Sequence, residues 1–259
     1  MTMPYAEVIG DPIAQSKSPA IHRFWLEKLG IEADYRATRV SEAEVADYLT
    51  ERKADPDWRG CNVTMPLKQT VQPHLESVKE PAASIGAVNT IYPDNDRLLA
   101  GTNTDAAGFL EPLTKELQSP HLFRMARILG AGGAARAIAH ALARENFTLV
   151  IAARRVEQAE DLIAGLPQTT QHHAVLLDHF AQTTDFEFDD RQGLLDLVIN
   201  ASPLGMRGKS PLVFDWSHAP PGAIAYDIVT DPLETDFLRA AREAGHETID
   251  GLAMLIGQA

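Results

Sequence analysis

The sequence predicts an α/β protein with two domains, and three observations support this fold class. Apolar runs typical of buried strands alternate with amphipathic helical segments along most of the 259 residues. Gly and Pro residues separate these segments, and one complete strand–turn–helix–strand unit lies near residue 130. Such alternation is typical of mostly parallel sheets flanked by helices. We expect one domain over residues 1–103, a second over 104–234, and a C-terminal segment, 235–259, that returns to the first domain.

The first half of the chain contains four predicted strands and two predicted helices. Ser18 followed by Pro19 is a typical helix start, and Gly30 is a typical stop. Ser41 and Glu44 have the spacing of a capping box at the start of the second helix. The predicted strands are residues 5–10, 33–40, 59–64 and 87–92, and the predicted helices are 19–29 and 41–53.

The second half begins with a long predicted helix over residues 103–117 that joins the domains. A strand at 124–129, a turn, a helix at 136–146 and a strand at 147–152 then form a βαβ unit. Further strands are predicted at 195–200 and 223–229, whereas the polar region 167–193 fits no element clearly.

Composition excludes several function classes. The net charge of −13 argues against a nucleic-acid partner, which needs a basic footprint, but a few local cations could still create an anion site. Cys61 is the single cysteine, so neither an intrachain disulfide nor a cysteine-rich metal site is expected. Because no stretch approaches the ~20 apolar residues of a membrane span, we expect a cytoplasmic protein without membrane partners, and no bound metal.

The turn Gly130-Ala131-Gly132-Gly133-Ala134-Ala135 fits the dinucleotide-binding fingerprint, which accepts Ala at its third position. Gly130 permits the tight turn, and Gly132 lets a pyrophosphate approach the backbone at a helix N-terminus. A glycine-rich turn without a ligand is the alternative. The position of the motif between a strand and a helix favours a Rossmann-like, doubly wound domain.

The end of the next strand predicts which dinucleotide binds. NAD enzymes place Asp or Glu there, whereas the 2′-phosphate of NADP requires cations. This chain has Arg154 and Arg155 and no acid before Glu157. Two exposed arginines that merely start a helix are the alternative, but the planar guanidinium suits phosphate and favours NADP.

Polar clusters occupy the predicted strand ends of the first half. They are Ser16-Lys17-Ser18-Pro19, residues 62–68, Val88-Asn89-Thr90 and residues 101–105. Each could serve only as a cap or a turn. Four clusters at the carboxyl ends of successive strands indicate a ligand site, since open α/β sheets bind ligands at that edge.

Taken together, these stretches resemble the shikimate dehydrogenase family. The resemblance rests on residues 10–19 with His22, 62–68, 86–90, 103–105, 130–134, 199–206 and 250–258, in the family's order over almost the whole chain. It implies an N-terminal substrate-binding domain of mixed or parallel α/β structure. It also implies NADP-dependent, reversible oxidation of shikimate to 3-dehydroshikimate in aromatic amino-acid biosynthesis.

The resemblance also implies roles for individual residues. Lys68 and Asp105 match the catalytic pair. The Lys68 ammonium would donate a proton to the reacting oxygen, and the Asp105 carboxylate would orient the ammonium. Ser16, Ser18, Thr64, Asn89 and Gln258 match substrate-binding positions. The implied cofactor contacts are Gly130, Ala131, Gly132, Gly133, Ala134, Arg154, Arg155, Ile228 and Gly251.

The chain departs from the family pattern at two places that affect the site. Ala153-Arg154-Arg155 stands where Asn-Arg-Thr is usual, so charge must do more of the phosphate recognition. Thr230 replaces a substrate-contacting tyrosine, which leaves open a dehydrogenase of quinate or another ring hydroxy acid. A non-catalytic NADP sensor is a further alternative, although a binder needs no Lys68–Asp105 pair. A monomer or a homodimer is expected.

Overall fold

The computed structural model describes residues 3–167, 171–188 and 193–259. The chain forms two compact units, Met1–Asp105 with Ala259 and Ala106–Gln258. The division lies two residues from the expected boundary at 103. Residues 235–258, expected to return to the first domain, are instead grouped with the second unit, because they supply an edge strand to its sheet.

The first unit contains a mixed six-stranded sheet in the order β2-β1-β3-β5-β6-β4. β1 pairs in parallel with β2 and β3, β5 is antiparallel to β3 and β6, and β4 is parallel to β6. The strands are β1 Tyr5–Gly10, β2 Asp34–Arg39, β3 Trp58–Val63, β4 Ser77–Val78, β5 Thr90–Pro93 and β6 Leu99–Thr102.

Three α-helices accompany this sheet: α1 Ser18–Leu29, α2 Val45–Ala54 and α3 Ala82–Ile85, with 3-10 turns at Glu42–Glu44 and Gln72–His74. The capping box is present, since the Ser41 backbone N–H donates to Glu44 Oε2 at 2.8 Å. The sequence predicts that Ser18 caps α1, but the structure shows no such cap. Ser18 lies inside the helix, and its backbone N–H donates to Ser16 Oγ at 3.3 Å. Gly30 ends α1 with a left-handed backbone, as expected.

The second unit contains a fully parallel six-stranded sheet in the order β12-β11-β10-β7-β8-β9. Numbered from β7, this is the 3-2-1-4-5-6 order of a doubly wound dinucleotide-binding sheet. The strands are β7 Phe123–Leu129, β8 Thr148–Ala153, β9 His173–Leu176, β10 Leu194–Asn200, β11 Ile224–Asp227 and β12 Glu247–Ile249. The predicted two-domain α/β fold class, with a mixed and a doubly wound sheet, is confirmed.

The expected long helix over 103–117 is interrupted. α4 Asp105–Leu110 passes into a 3-10 turn, Glu111–Leu113, and then α5 Thr114–Gln118. Pro112 lies at the start of that turn, and its missing N–H and its ring are incompatible with a continuous α-helix. The other helices are α6 Gly133–Arg144, α7 Val156–Ala164, α8 Asp236–Glu243 and α9 Gly251–Gly257, with 3-10 turns at Leu177–Ala181 and Trp216–His218.

Both sheets bury side chains on both faces, because neighbouring residues of a strand point to opposite sides. In the first unit, Ile9 packs in one apolar cluster and Val8 in another. In the second, Ile128 and Leu129 likewise belong to different clusters. This two-sided burial explains why a central strand such as β10 is apolar almost throughout, whereas the edge strand β2 is polar. Among the described residues, no helix combines the length and apolar composition that crossing a membrane requires.

Candidate active site

The polar clusters of the first unit meet at one edge of its sheet. The carboxyl ends of the parallel strands β1 and β3 lie at this edge, so the loops that follow them carry Ser16, Thr64 and Lys68 to it. The position of Asn89 differs from the sequence-based expectation. Asn89 precedes β5, which is antiparallel to β3, and therefore lies at an amino end where the sequence suggests a carboxyl end.

Lys68, Asn89 and Asp105 form the hydrogen-bonded centre of this edge. Lys68 Nζ lies 2.5 Å from Asp105 Oδ2, and Asn89 Nδ2 donates to Asp105 Oδ1 at 3.0 Å. The Asp105 and Asn89 side chains are almost fully buried, whereas the Lys68 side chain remains 14% exposed. The carboxylate is thus held from both sides, and the ammonium is the member of the pair that a ligand can reach.

Backbone contacts fix Asp105 at the start of α4. Its N–H donates to Asn103 Oδ1 at 2.9 Å, and Asn103 Nδ2 donates to the Ala87 carbonyl at 2.9 Å. The Val88 N–H donates to the Lys68 carbonyl at 2.7 Å, which ties the Lys68 turn to the segment before β5. The two members of the pair therefore belong to loops that are themselves bonded to one framework.

Thr64 lies against the loop that leads to the serines. A Cβ at Gly10 would fall 2.6 Å from Thr64 Cγ2, and the Asp11 N–H donates to the Met65 carbonyl at 3.1 Å. Ser16 and Ser18 are partly exposed and linked through the Ser18 N–H. Because Ser18 Oγ is not used as a helix cap, its hydroxyl is available for a ligand.

The predicted pyrophosphate loop has the geometry that its glycines imply. Gly130 has φ +132°, and a Cβ there would lie 2.7 Å from the Ala201 carbonyl oxygen. A Cβ on Gly132 would meet nothing within 4 Å, so the backbone there is open to an approaching group. α6 begins at Gly133, three residues earlier than expected, and its first N–H groups have no intrahelical acceptor. Ala131, Gly133 and Ala134 complete this loop and first turn.

Three arginines belong to the segments that adjoin that loop, the first turn of α6 and the end of β8. Arg154 and Arg155 are exposed at the end of β8, and neither forms an ion pair within the described part of the chain. Arg136, in the first turn of α6, has a buried Nε without a hydrogen-bond partner. The position of Arg136 inside a predicted helix is the reason that the sequence did not single it out.

The loops after β10 and β11 are fastened together by buried polar groups. Asn200 Nδ2 donates to Asp227 Oδ1 at 3.0 Å, and Thr235 Oγ1 donates to Asp227 Oδ2 at 2.7 Å. Burial raises the pKa of Asp227 to about 6, against the lowering effect of those donors. Ile228 follows directly, and a Cβ on Gly251 would lie 2.5 Å from the Ile228 carbonyl oxygen. The two predicted cofactor residues are therefore in backbone contact.

Gln258 follows α9, which packs closely on α4. A Cβ on Gly108 would lie 2.6 Å from the Gln258 backbone nitrogen, and a Cβ on Gly257 would lie 3.0 Å from Gly108 Cα. Two glycines thus bring the helix backbones together. The position of Gln258 depends on this contact.

Comparison with known proteins identifies the family of this chain. The family model of the shikimate dehydrogenase substrate-binding domain matches residues 8–91. A curated protein of Sphingopyxis alaskensis, named shikimate dehydrogenase (NADP(+)), is 47% identical over 258 residues, which is 99% of this chain and 88% of the relative. The chain belongs to the shikimate dehydrogenase family.

Solved structures of this fold include two with different named activities. A shikimate 5-dehydrogenase of Thermus thermophilus, in complex with NADP(H) and shikimate, matches with TM-score 0.80 and 34% identity, covering 99% of this chain and 90% of that one. A 5-ketofructose reductase of Gluconobacter sp. matches with TM-score 0.79 and 31% identity, covering 100% and 89%. The shikimate dehydrogenase fold is therefore shared by proteins named for different substrates.

Proposed function

We infer that this member of the shikimate dehydrogenase family is an NADP-dependent oxidoreductase that interconverts shikimate and 3-dehydroshikimate, a step of aromatic amino-acid biosynthesis. The observation that carries the proposal is the Lys68–Asp105 pair, joined at 2.5 Å and held by Asn89. A protein that only binds NADP has no use for a buried carboxylate that orients a reachable ammonium. The non-catalytic alternative therefore has little support.

The reaction needs a proton donor and acceptor at one oxygen. During reduction, the Lys68 ammonium would donate a proton to the oxygen that becomes the alcohol, and during oxidation the amine would take it back. Asp105 would keep Nζ directed at that oxygen and would accept a hydrogen bond from a neighbouring hydroxyl. Positive charge beside the developing alkoxide lowers the barrier most when it is held in place beforehand.

Substrate binding is assigned to the remaining polar residues of the same sheet edge and to Gln258. Ser16 and Ser18 lie before and at the start of α1, where hydroxyls and the positive end of a helix favour a carboxylate. Thr64 would bond a ring hydroxyl. Asn89 would border the substrate, while both atoms of its amide stay bonded to Asp105, Thr90 and Thr104.

The second unit fits NADP, which supplies or accepts the hydride when bound. The open backbone at Gly132 and the first turn of α6 would receive the pyrophosphate. Arg154 and Arg155 would bind the 2′-phosphate, and Arg136 in the first turn of α6 would add positive charge near the phosphates. Ile228 and Gly251, joined through backbone contact, would border the rest of the cofactor.

The direct test is an absorbance assay of NADPH formation with shikimate and NADP⁺, run in parallel with NAD⁺. We expect turnover with NADP⁺ and much weaker activity with NAD⁺. Measurable NADP affinity without oxidation of shikimate, quinate or any other alcohol tested would contradict the enzyme assignment. It would favour the alternative of a non-catalytic NADP sensor.

A second candidate is reduction of another ketone. It is favoured by the likeness to a chain named 5-ketofructose reductase and by Thr230, a shorter residue than the tyrosine that the family usually has there. Values of kcat/KM for shikimate and quinate with NADP⁺, and for 5-ketofructose with NADPH, separate the candidates. The expected monomer or homodimer and the cytoplasmic location stay predictions, of which size-exclusion chromatography tests the first.

A further inference from the structure

A line of hydrogen bonds leads from Asp105 away from the reacting groups to the interior of the first unit. Beyond Asn89, the Thr90 hydroxyl donates to Asn89 Oδ1 at 2.9 Å, and Asn62 Nδ2 donates to Thr90 Oγ1 at 3.2 Å. The Tyr35 hydroxyl donates to Asn62 Oδ1 at 2.5 Å. We call Tyr35, Asn62, Thr90 and Asn89 the donor chain.

The direction of the donor chain is determined at one end by the backbone. The Thr104 N–H, which can only donate, lies 2.9 Å from the Asn89 side chain. The atom facing it must be the amide oxygen, so the amide nitrogen faces Asp105. The Thr90 hydroxyl must then donate to the same oxygen, which leaves its lone pairs for the Asn62 nitrogen. The Asn62 oxygen consequently faces Tyr35.

Tyr35 holds the far end. Its side chain is only 3% exposed on β2, and its ring stacks on His22 with centroids 4.1 Å apart. Burial raises the pKa of the Tyr35 hydroxyl and lowers that of His22, so the phenol remains a donor and the imidazole is neutral at pH 7. The stack on His22 fixes the position of the Tyr35 hydroxyl, which begins the donor chain.

All four donors point toward Asp105, and hydrogen bonds arranged in this way polarise one another. Thr104 also holds this amide, since its N–H donates to the Asn89 oxygen and its hydroxyl accepts from the Asn89 nitrogen at 3.0 Å. We propose that Tyr35, Asn62 and Thr90 are positioning residues of the reaction: they add to these contacts in keeping the Asn89 amide turned so that it donates to Asp105. That contact in turn leaves Asp105 Oδ2 for Lys68. The proposal rests on the proposed function, since it assigns the donor chain to the Lys68–Asp105 pair.

Thr90 gives the sharpest test, because two substitutions of similar size differ in the hydroxyl. Thr90→Val removes it, and we expect kcat for shikimate oxidation to fall about tenfold, the effect of ~1.4 kcal/mol on a barrier, with a smaller change in KM. Thr90→Ser keeps the hydroxyl and should retain kcat near that of the parent protein. Tyr35→Phe should lower kcat in the same way while it preserves the His22 stack.

Tyr5→Phe is the matched control. Tyr5 lies on the neighbouring strand β1, and its hydroxyl donates one hydrogen bond, to Asp55 Oδ2 at 2.7 Å, outside the donor chain. It should lose stability comparable to Tyr35→Phe but keep kcat. Equal kcat values for Thr90→Val and the parent, or equal losses in Thr90→Val and Thr90→Ser, would overturn the proposal. A kcat loss in Tyr5→Phe as large as in Tyr35→Phe would do the same.

A measurement without substrate separates this proposal from the proposed function. In nuclear magnetic resonance spectra of the full chain, the Asn89 side-chain amide protons should exchange about fivefold faster in Thr90→Val, the population change that ~1 kcal/mol produces. Thr90→Ser should match the parent. If the parent does not oxidise shikimate, the proposed function fails while this exchange still reports on the donor chain. If the Asn89 amide protons exchange at the same rate in Thr90→Val as in the parent, the donor chain does not hold Asn89, and the proposal is wrong.

Discussion

Lys68 combines a charge, a buried partner and partial exposure, and its removal tests the reaction chemistry at the scale of one residue. We expect Lys68→Ala to lower kcat by roughly 10²–10⁴, the range for loss of a general acid or base, with little change in the KM of shikimate. Lys115→Ala, which removes an exposed lysine on α5, is the control. A near-normal kcat in Lys68→Ala would remove Lys68 from the mechanism.

Arg155 tests how the cofactor is chosen. The usual hydrogen-bonding neighbours of Arg154 are absent, so the second cation should carry part of the affinity for the 2′-phosphate. We expect Arg155→Ala to raise the KM of NADP⁺ about tenfold, as for loss of one charged hydrogen bond, and to change that of NAD⁺ much less. Arg144→Ala, at the far end of α6, should leave both unchanged. A parallel rise for both dinucleotides would contradict phosphate recognition.

Asp227 should make stability depend on pH. Its pKa is raised to about 6 in the folded protein, against ~3.9 for an unfolded chain. The folded state therefore binds the extra proton between these values, and the free energy of unfolding falls as pH rises from about 4 to about 6, by at most ~3 kcal/mol from this group. Urea unfolding at several pH values measures it.

Asp227→Asn is the comparison for that pH dependence. An amide oxygen can still accept from the Val229 N–H and Asn200, so the variant should fold. In this variant, the free energy of unfolding should depend less on pH between about 4 and 6, because one titrating group is gone. An unchanged pH dependence would show that Asp227 does not titrate in this range.

At the scale of elements, the contact of α4 with α9 depends on glycine. Gly108→Ala would place a methyl group 2.6 Å from the Gln258 nitrogen, so one helix must shift. We expect a loss of roughly 1–3 kcal/mol in the free energy of unfolding and a higher KM for shikimate, because Gln258 moves. Gly165→Ala is the control, since its Cβ would meet only the Leu162 carbonyl at 3.6 Å. Equal stability of the two variants would contradict the close approach.

Strand direction also belongs to this scale. The sequence predicts a strand around residue 90 but not that β5 runs antiparallel to β3. It also misses β4 and β6, which have two and four residues. Short strands carry too few alternating positions for a pattern, and their direction follows from which partner they meet. The βαβ unit from β7 to β8 was predictable because its turn, helix and strands are contiguous in sequence.

At the scale of the whole molecule, the two ligands should protect different segments of the chain. Ligand binding stabilises the folded state by about 2.7 kcal/mol at a concentration 100 times Kd. In hydrogen-exchange mass spectrometry, shikimate should protect peptides around Lys68 and Asp105, and NADP⁺ should protect peptides around Gly132 and Arg154. Protection of the Gly132 region by shikimate alone would contradict the assignment of the sites.

The sequence by itself determined the fold class, the nucleotide loop and the cofactor preference, since each depends on residue types at fixed local spacing. Lys68 and Asp105 were named through the family resemblance, and their contact across 37 positions was decided by the fold. The tertiary structure decided what depends on pairing between distant segments. The mixed order of the first sheet, the glycine contact of α4 with α9 and the partnerless Arg136 Nε are of this kind. So is the donor chain, because Tyr35, Asn62 and Thr90 are separated by 27 and 28 positions. Hydrogen bonds over such separations exist only once the strands have paired.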